Sequence, residues 1–152
     1  MIEKIKYAII GAGCMGQEHI LNIGIIDDAE VVALCDTSEQ SIKDSLELLN
    51  NEVAIFNDYN DLIDANIANA FIIATPNFTH IDVLKDVMKS EVHLLIEKPL
   101  CTTVKDCKEF EKLAENYPGV IWTAMEYRYM PPVQRMIKEI HNNTIGDLKM
   151  LS

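Results

Sequence analysis

At 152 residues, 49% hydrophobic and 24% charged, the chain has the length and balance of one globular domain with a substantial core. Its net charge of −11 is concentrated in residues 1–60, with 3 basic against 11 acidic side chains (−8), and residues 61–152 add 10 against 13 (−3). No basic stripe exists to neutralise a run of phosphates, so nucleic acid is excluded as a partner, and an anionic ligand must be held by backbone amides or single cations. The apolar runs fall far short of the roughly 20 residues of a membrane span, and no membrane partner is expected. The N-terminus lacks the apolar core and small-residue cleavage site of a secretory signal. Cys14, Cys35, Cys101 and Cys107 form no C-x-x-C pair and fit free thiols in a reducing cytoplasm, each read as a small buried hydrophobe. No pair of Cys or His has metal-ligand spacing, and no metal is expected.

In chain order, "YAII" (7–10), "VVALC" (31–35), "AFIIA" (70–74), "VHLLI" (92–96) and "VIWTAM" (120–125) are strand candidates, with "VAIF" (53–56) as a shorter one. Continuous rather than alternating hydrophobicity is what strands covered on both faces need. Between them lie helical stripes: Ile42, Leu46 and Leu49; Ile81, Leu84 and Met88; Val104, Cys107, Phe110 and Leu113; and Val133, Met136, Ile137 and Ile140. Thr37 with Gln40 and Thr103 with Asp106 have capping-box spacing. Strand alternating with helix predicts right-handed βαβ units in an α/β fold, a doubly wound parallel sheet of Rossmann type. "EYRYMPP" (126–132) breaks the alternation, and "GDLKMLS" (146–152) reads as the start of a new strand. Residues 1–125 are thus expected to form a dinucleotide-binding domain. Residues 126–152 are expected to be a connecting segment and the start of a second domain of a longer protein.

"AIIGAGCMGQEHI" places Gly11, Gly13 and Gly16 in G-x-G-x-x-G register after the first strand, at the opening of a helix. Gly11 permits the tight turn, Gly13 lets backbone approach a pyrophosphate, and Gly16 lets helix and strand pack closely. Free amides at the helix N-terminus, here including Cys14 and Met15, then hold the phosphates. Asp36 lies 20 residues beyond Gly16 at the end of the second strand, where a carboxylate can accept both hydroxyls of an adenosine ribose. The alternative is that Asp36 only ends a strand ahead of a helix cap. Thr37 and Ser38 follow it, not Arg or Lys, which favours NAD over NADP.

In a doubly wound sheet the carboxyl ends of the strands line the ligand crevice. "FIIATPNFTH" brings Thr75, Pro76, Asn77 and His80 to that edge, although Pro76 and Asn77 could merely open the next helix. "HLLIEKPLC" brings Glu97, Lys98 and Pro99 there as well. An ammonium at this point can hydrogen-bond an alcohol or ketone oxygen and stabilise developing alkoxide charge. Glu97 is expected to pair with Lys98 or to bind the nicotinamide ribose. A solvated Glu–Lys pair at a strand end is the plainer alternative.

Together G-x-G-x-x-G, Asp36, "ATPNFTH", "EKP" and "EYRYMPP" resemble, over the whole chain, the glucose–fructose oxidoreductase, inositol dehydrogenase and MocA-like family. The resemblance implies NAD(P)-dependent oxidation or reduction of a secondary alcohol on a sugar, cyclitol or related polyol. It makes Lys98 the catalytic lysine and sets Thr75, Asn77, His80, Glu97 and Arg128 around the cofactor. It also implies a homo-oligomer at full length. The family's catalytic histidine, preceded four residues earlier by aspartate, has no counterpart: Met15, Pro76, Lys89 and Ile137 stand four residues before the four histidines. The chain alone is therefore expected to bind NAD and turn over poorly. A non-catalytic NAD-binding or NAD-sensing module is the competing reading. A methyltransferase shares the glycine loop and the acid but needs no E-K-P.

Overall fold

The computed structural model describes residues 4–150. Along the chain run β1 (Ile5–Ile10), α1 (Cys14–Ile23), β2 (Ala29–Cys35), α2 (Glu39–Leu46), β3 (Ala54–Phe56), α3 (Tyr59–Ala65) and β4 (Ala70–Ile73). They are followed by α4 (His80–Val87), β5 (His93–Ile96), α5 (Val104–Ala114), β6 (Ile121–Thr123) and α6 (Pro131–His141). All strand pairs are parallel, in the spatial order β3-β2-β1-β4-β5-β6. This is the doubly wound sheet expected from the sequence. Its strand order reverses direction between β1 and β4, which opens a crevice beyond their carboxyl ends.

Successive residues of the central strands feed two apolar layers. Ala8, Ile10, Phe71 and Ile73 pack with Leu84 of α4 and Phe110 of α5 on one face. Ile9, Leu34 and Ile72 pack with Ile20 and Ile23 of α1 and Ile42 of α2 on the other. Both faces being covered explains why the strands read as unbroken apolar runs. All four residues of β4 are buried, and full burial of an Ile side chain contributes about 1.5–3 kcal/mol. An irregularity between Tyr7 and Ala8 skips Val32 in the β1–β2 register, so that Ile10 faces Cys35. Gly11 N–H then donates to the Cys35 carbonyl at 2.8 Å, which brings the glycine turn beside the end of β2.

Local signals were partly displaced. Ser38, not Thr37, caps α2: its hydroxyl accepts from Ser41 N–H at 3.2 Å, while its own N–H donates to Asp36 Oδ1 at 2.8 Å. Thr103 caps α5 as its spacing predicted, accepting from Asp106 N–H at 3.1 Å. The sequence reading missed α3 because this seven-residue helix buries only Leu62 and so carries no stripe; Asp58 caps it, accepting from Asn60 N–H. Residues 146–150 form no strand, contrary to expectation, and the end of "GDLKMLS" lies outside the described residues. The stripe of α6 forms as read, yet Val133, Met136, Ile137 and Ile140 are only half-buried, because the chief neighbour of α6 is the 3-10 turn Glu126–Tyr129.

Candidate cofactor and active site

The three glycines of the first loop differ in what requires them. Gly11 has φ +97°, and a Cβ there would lie 2.5 Å from the Ala74 carbonyl oxygen. A Cβ on Gly16 would lie 2.1 Å from the Gly11 carbonyl oxygen. Both are demanded by the fold itself. Gly13, at φ −75°, has nothing within 4 Å of where its Cβ would stand. Among the described residues no protein atom explains its small size. The first-turn amides of the ten-residue helix α1 have no partner within it, and the helix dipole adds partial positive charge.

A cavity of about 580 Å³ opens in front of this loop, within the usual range for small-molecule sites. Gly11, Gly13, Cys14 and Met15 form one wall, Asp36 and Thr37 a second, and Thr75 and Pro76 a third. These are the carboxyl ends of β1, β2 and β4, at the crevice. The sequence reading did not include Asn57, Tyr59 or Thr79, which also line it. Asn57 follows β3, so the crevice rule applied to the third strand would have found it. The Thr79 hydroxyl lies 2.8 Å from that of Thr75 and 2.7 Å from the Pro76 carbonyl, tying the third wall together.

Asp36 is more constrained than a free ribose acceptor. Its Oδ2 accepts from Ala12 N–H and its Oδ1 from Ser38 N–H, both at 2.8 Å. Each oxygen keeps a further lone-pair direction. Behind it, burial and the Asp36 charge push the Cys35 thiol up to about 12. Cys14 and Cys107 are exposed, against the expectation of four buried thiols, and Cys14 borders the cavity. Cys101 is partly buried, and its thiol is pushed up to about 11, mainly by burial.

Lys98 and Arg128 meet elsewhere. They share a second cavity of about 320 Å³ with Ala124, Met125, Glu126 and Tyr127, between the end of β5 and the turn after β6. Both side chains are exposed, and among the described residues neither joins an ion pair. The Lys98–Pro99 peptide is cis.

Gly16, Asn77, His80 and Glu97 border neither cavity. Gly16 packs α1 onto β1, and Asn77 is exposed in the short 3-10 turn that leads into α4. Glu97 is only 5% exposed. Its Oε1 accepts from His19 Nε2 at 2.8 Å and its Oε2 from Lys98 N–H at 3.2 Å, so it pairs with a histidine rather than with the Lys98 ammonium. His80 is fully buried, with Nδ1 2.9 Å from the Pro99 carbonyl and Nε2 2.9 Å from the Thr75 carbonyl. Both ring nitrogens face backbone carbonyl oxygens, and the ring N–H donates to one of them, so His80 braces the crevice from behind. His19 had no sequence signal, since its partner lies 78 residues away.

Residues 5–125 match the GFO_IDH_MocA family, described as an oxidoreductase family with an NAD-binding Rossmann fold. The rhizopine catabolism protein MocA of Rhizobium meliloti is 26% identical over 151 residues, which cover 99% of this chain and 47% of that protein. An inositol 2-dehydrogenase of Arthrobacter sp. is 36% identical over 153 residues, covering 99% and 45%. The WlbA dehydrogenase of Bordetella pertussis, solved in complex with NADH and UDP-GlcNAcA, is 25% identical, with a TM-score of 0.85 over 93% of this chain and 43% of that one. The chain thus spans just under half the length of the curated relatives it matches. With the glycine cradle, the strand order and the match over residues 5–125 in agreement, this chain belongs to the GFO_IDH_MocA oxidoreductase family, as its NAD-binding Rossmann fold.

Proposed function

We propose that the chain is the cofactor-binding part of an NAD-dependent dehydrogenase acting on a secondary alcohol of a sugar, cyclitol or related polyol. The single observation that carries this reading is the 580 Å³ cavity, where the glycine loop, Asp36 and the end of β4 converge. In it the amides at the start of α1 hold the pyrophosphate, with Gly13 giving room for close approach. Asp36 accepts the adenosine ribose hydroxyls and, with no cation beside it, disfavours a 2′-phosphate. Thr75 and Pro76 form the rim on the β4 side, with Asn77 exposed just beyond it. When bound, the nicotinamide accepts or donates a hydride. Lys98 meets the substrate oxygen as an ammonium, stabilising alkoxide charge, with Arg128 in the same cavity. His80 and Glu97 act behind these groups.

The inositol 2-dehydrogenase among the relatives supports an alcohol on a polyol as the reacting group. Residues 126–152 are read as the connection to a substrate domain, which would supply the base that takes the hydroxyl proton. Free thiols suit a cytoplasmic protein, and at full length we expect a homo-oligomer. Among the described residues no helix is long and apolar enough to cross a membrane, and no group of three or more His, Cys, Asp or Glu is placed to hold a metal.

Calorimetric titration of the 152-residue chain with NAD, NADH and NADP tests the reading. NAD and NADH should bind and NADP should bind more weakly. A folded sample that binds none of the three would overturn it. NAD binding with no alcohol oxidation by the full-length protein would favour an NAD-sensing module instead.

A further inference from the structure

Among the described residues the exposed Lys98 ammonium joins no ion pair, yet the residues on either side of it are unusually well fixed. The Glu97 N–H donates to the Ile73 carbonyl at 2.9 Å, continuing the β4–β5 ladder. The buried Glu97 carboxylate accepts a hydrogen bond from His19 of α1 at 2.8 Å and a second from the Lys98 N–H at 3.2 Å. A carboxylate can only accept, so the shared proton sits on His19 Nε2. On the other side the Pro99 carbonyl lies 2.9 Å from His80 Nδ1, and the opposite nitrogen of that ring lies 2.9 Å from the Thr75 carbonyl. Whichever nitrogen of His80 carries the proton, a backbone carbonyl stands ready to accept it.

We propose that His19 and His80 are positioning residues that clamp the Glu97–Pro99 segment from its two sides and thereby set where Lys98 projects. The two rings come from helices on opposite faces of the sheet: α1 packs in one apolar layer and α4 in the other. Each is also tied to a wall of the cofactor cavity without lining it. His19 stands on the helix whose start forms the phosphate cradle, and His80 holds Thr75, which lines the cavity wall. The clamp therefore ties the distance between cradle and lysine to two imidazoles, and leaves the ammonium itself free for a ligand. This rests on the reading of Lys98 as the group that meets the reacting oxygen.

The test is hydrogen exchange on the 152-residue chain, read by NMR at single amides, with His19→Ala, His19→Gln and Lys98→Ala. In His19→Ala the amides of 97, 98 and 100 should exchange faster by on the order of 10-fold or more, the scale of losing one charge-assisted hydrogen bond. The amides of β1 and β2 should keep their rates. His19→Gln, which retains a donor to Glu97, should restore most of the protection. His80→Asn, which retains a donor for one carbonyl, should loosen 98 and 100 in the same local way; should it fail to fold, the His19 pair decides alone. Uniform acceleration across the sheet, no change at 97–100, or no rescue by glutamine would each overturn the clamp. Lys98→Ala should leave the pattern unaltered, because its ammonium makes none of these ties. A failure of Lys98 as the reacting group would therefore surface only as undiminished turnover of full-length Lys98→Ala, with the exchange result intact.

Discussion

The Asp36 carboxylate accepts the backbone N–H of Ala12 at 2.8 Å, joining the end of the second strand to the glycine loop 24 residues earlier. One side chain thus shapes the phosphate cradle and, in the proposed complex, recognises the ribose. Asp36→Ala should lower the melting temperature by a few degrees, since it removes two hydrogen bonds worth about 1 kcal/mol each. It should also weaken NAD by on the order of 10-fold or more and narrow the gap to NADP. Paired calorimetry and thermal melts separate the two roles. A lower melting temperature with an unchanged NAD/NADP ratio would return Asp36 to a purely structural part.

Gly13 and Gly16 should respond oppositely to the same added methyl group. Gly16→Ala drives a Cβ to 2.1 Å from the Gly11 carbonyl oxygen and should cost about 1–3 kcal/mol or more of stability, as overpacking does. Gly13→Ala meets open space and an ordinary φ, so its denaturant midpoint should stay near that of the parent. Its NAD affinity should nevertheless fall at least about tenfold, through lost approach to the pyrophosphate. Unchanged affinity would place the phosphates elsewhere.

Thiol labelling should report the cavity directly. Cys14 is exposed at its edge and should react with iodoacetamide near neutral pH, as should Cys107. Cys35, buried and pushed up to about 12, should not. NAD should slow labelling at Cys14 and leave Cys107 unaffected, a difference that peptide mass spectrometry resolves.

On α4, Asp86 gives a pH-dependent contribution from outside the cavity, one hydrogen bond away from the lining residue Tyr59. Its carboxyl is held below the usual range, first by the hydrogen bond from Lys89 at 2.6 Å and then by the one from Tyr59 at 3.1 Å. A depressed carboxyl stabilises the fold fully above its unfolded value, about 3.9, and that contribution is lost as pH falls through the lowered folded value. Asp86→Asn should therefore be slightly less stable than the parent at pH 7, with the difference closing toward pH 3. Lys89 is well exposed, so the gap should be small and shrink further in high salt. Urea midpoints at several pH values would measure it.

Much of this architecture is legible before folding. The unbroken apolar runs of the central strands could belong only to a sheet covered on both faces, and the placement of Gly11, Gly13, Gly16 and Asp36 announced a dinucleotide cradle. What escaped was local or distant. Helix α3 is too short for a stripe, and Ser38 displaced Thr37 as a cap because Asp36 claimed the Ser38 amide.

The alternation of strand and helix, the glycine pattern and the acid after β2 are statements about neighbours along the chain, and local sequence carries them. The division of Lys98 and Arg128 from the glycine-loop cavity, the turn of Glu97 toward His19 and the burial of His80 between two carbonyls are not of that kind. The two histidine contacts depend on groups far apart along the chain meeting in space, 78 residues for His19 with Glu97 and 19 for His80 with the Pro99 carbonyl. A buried carboxylate or imidazole takes whatever partner the packed layers bring within about 3 Å. The sequence by itself determined the fold and the glycine turn; only the tertiary structure decided which polar groups line the cavities and which hold the others in place.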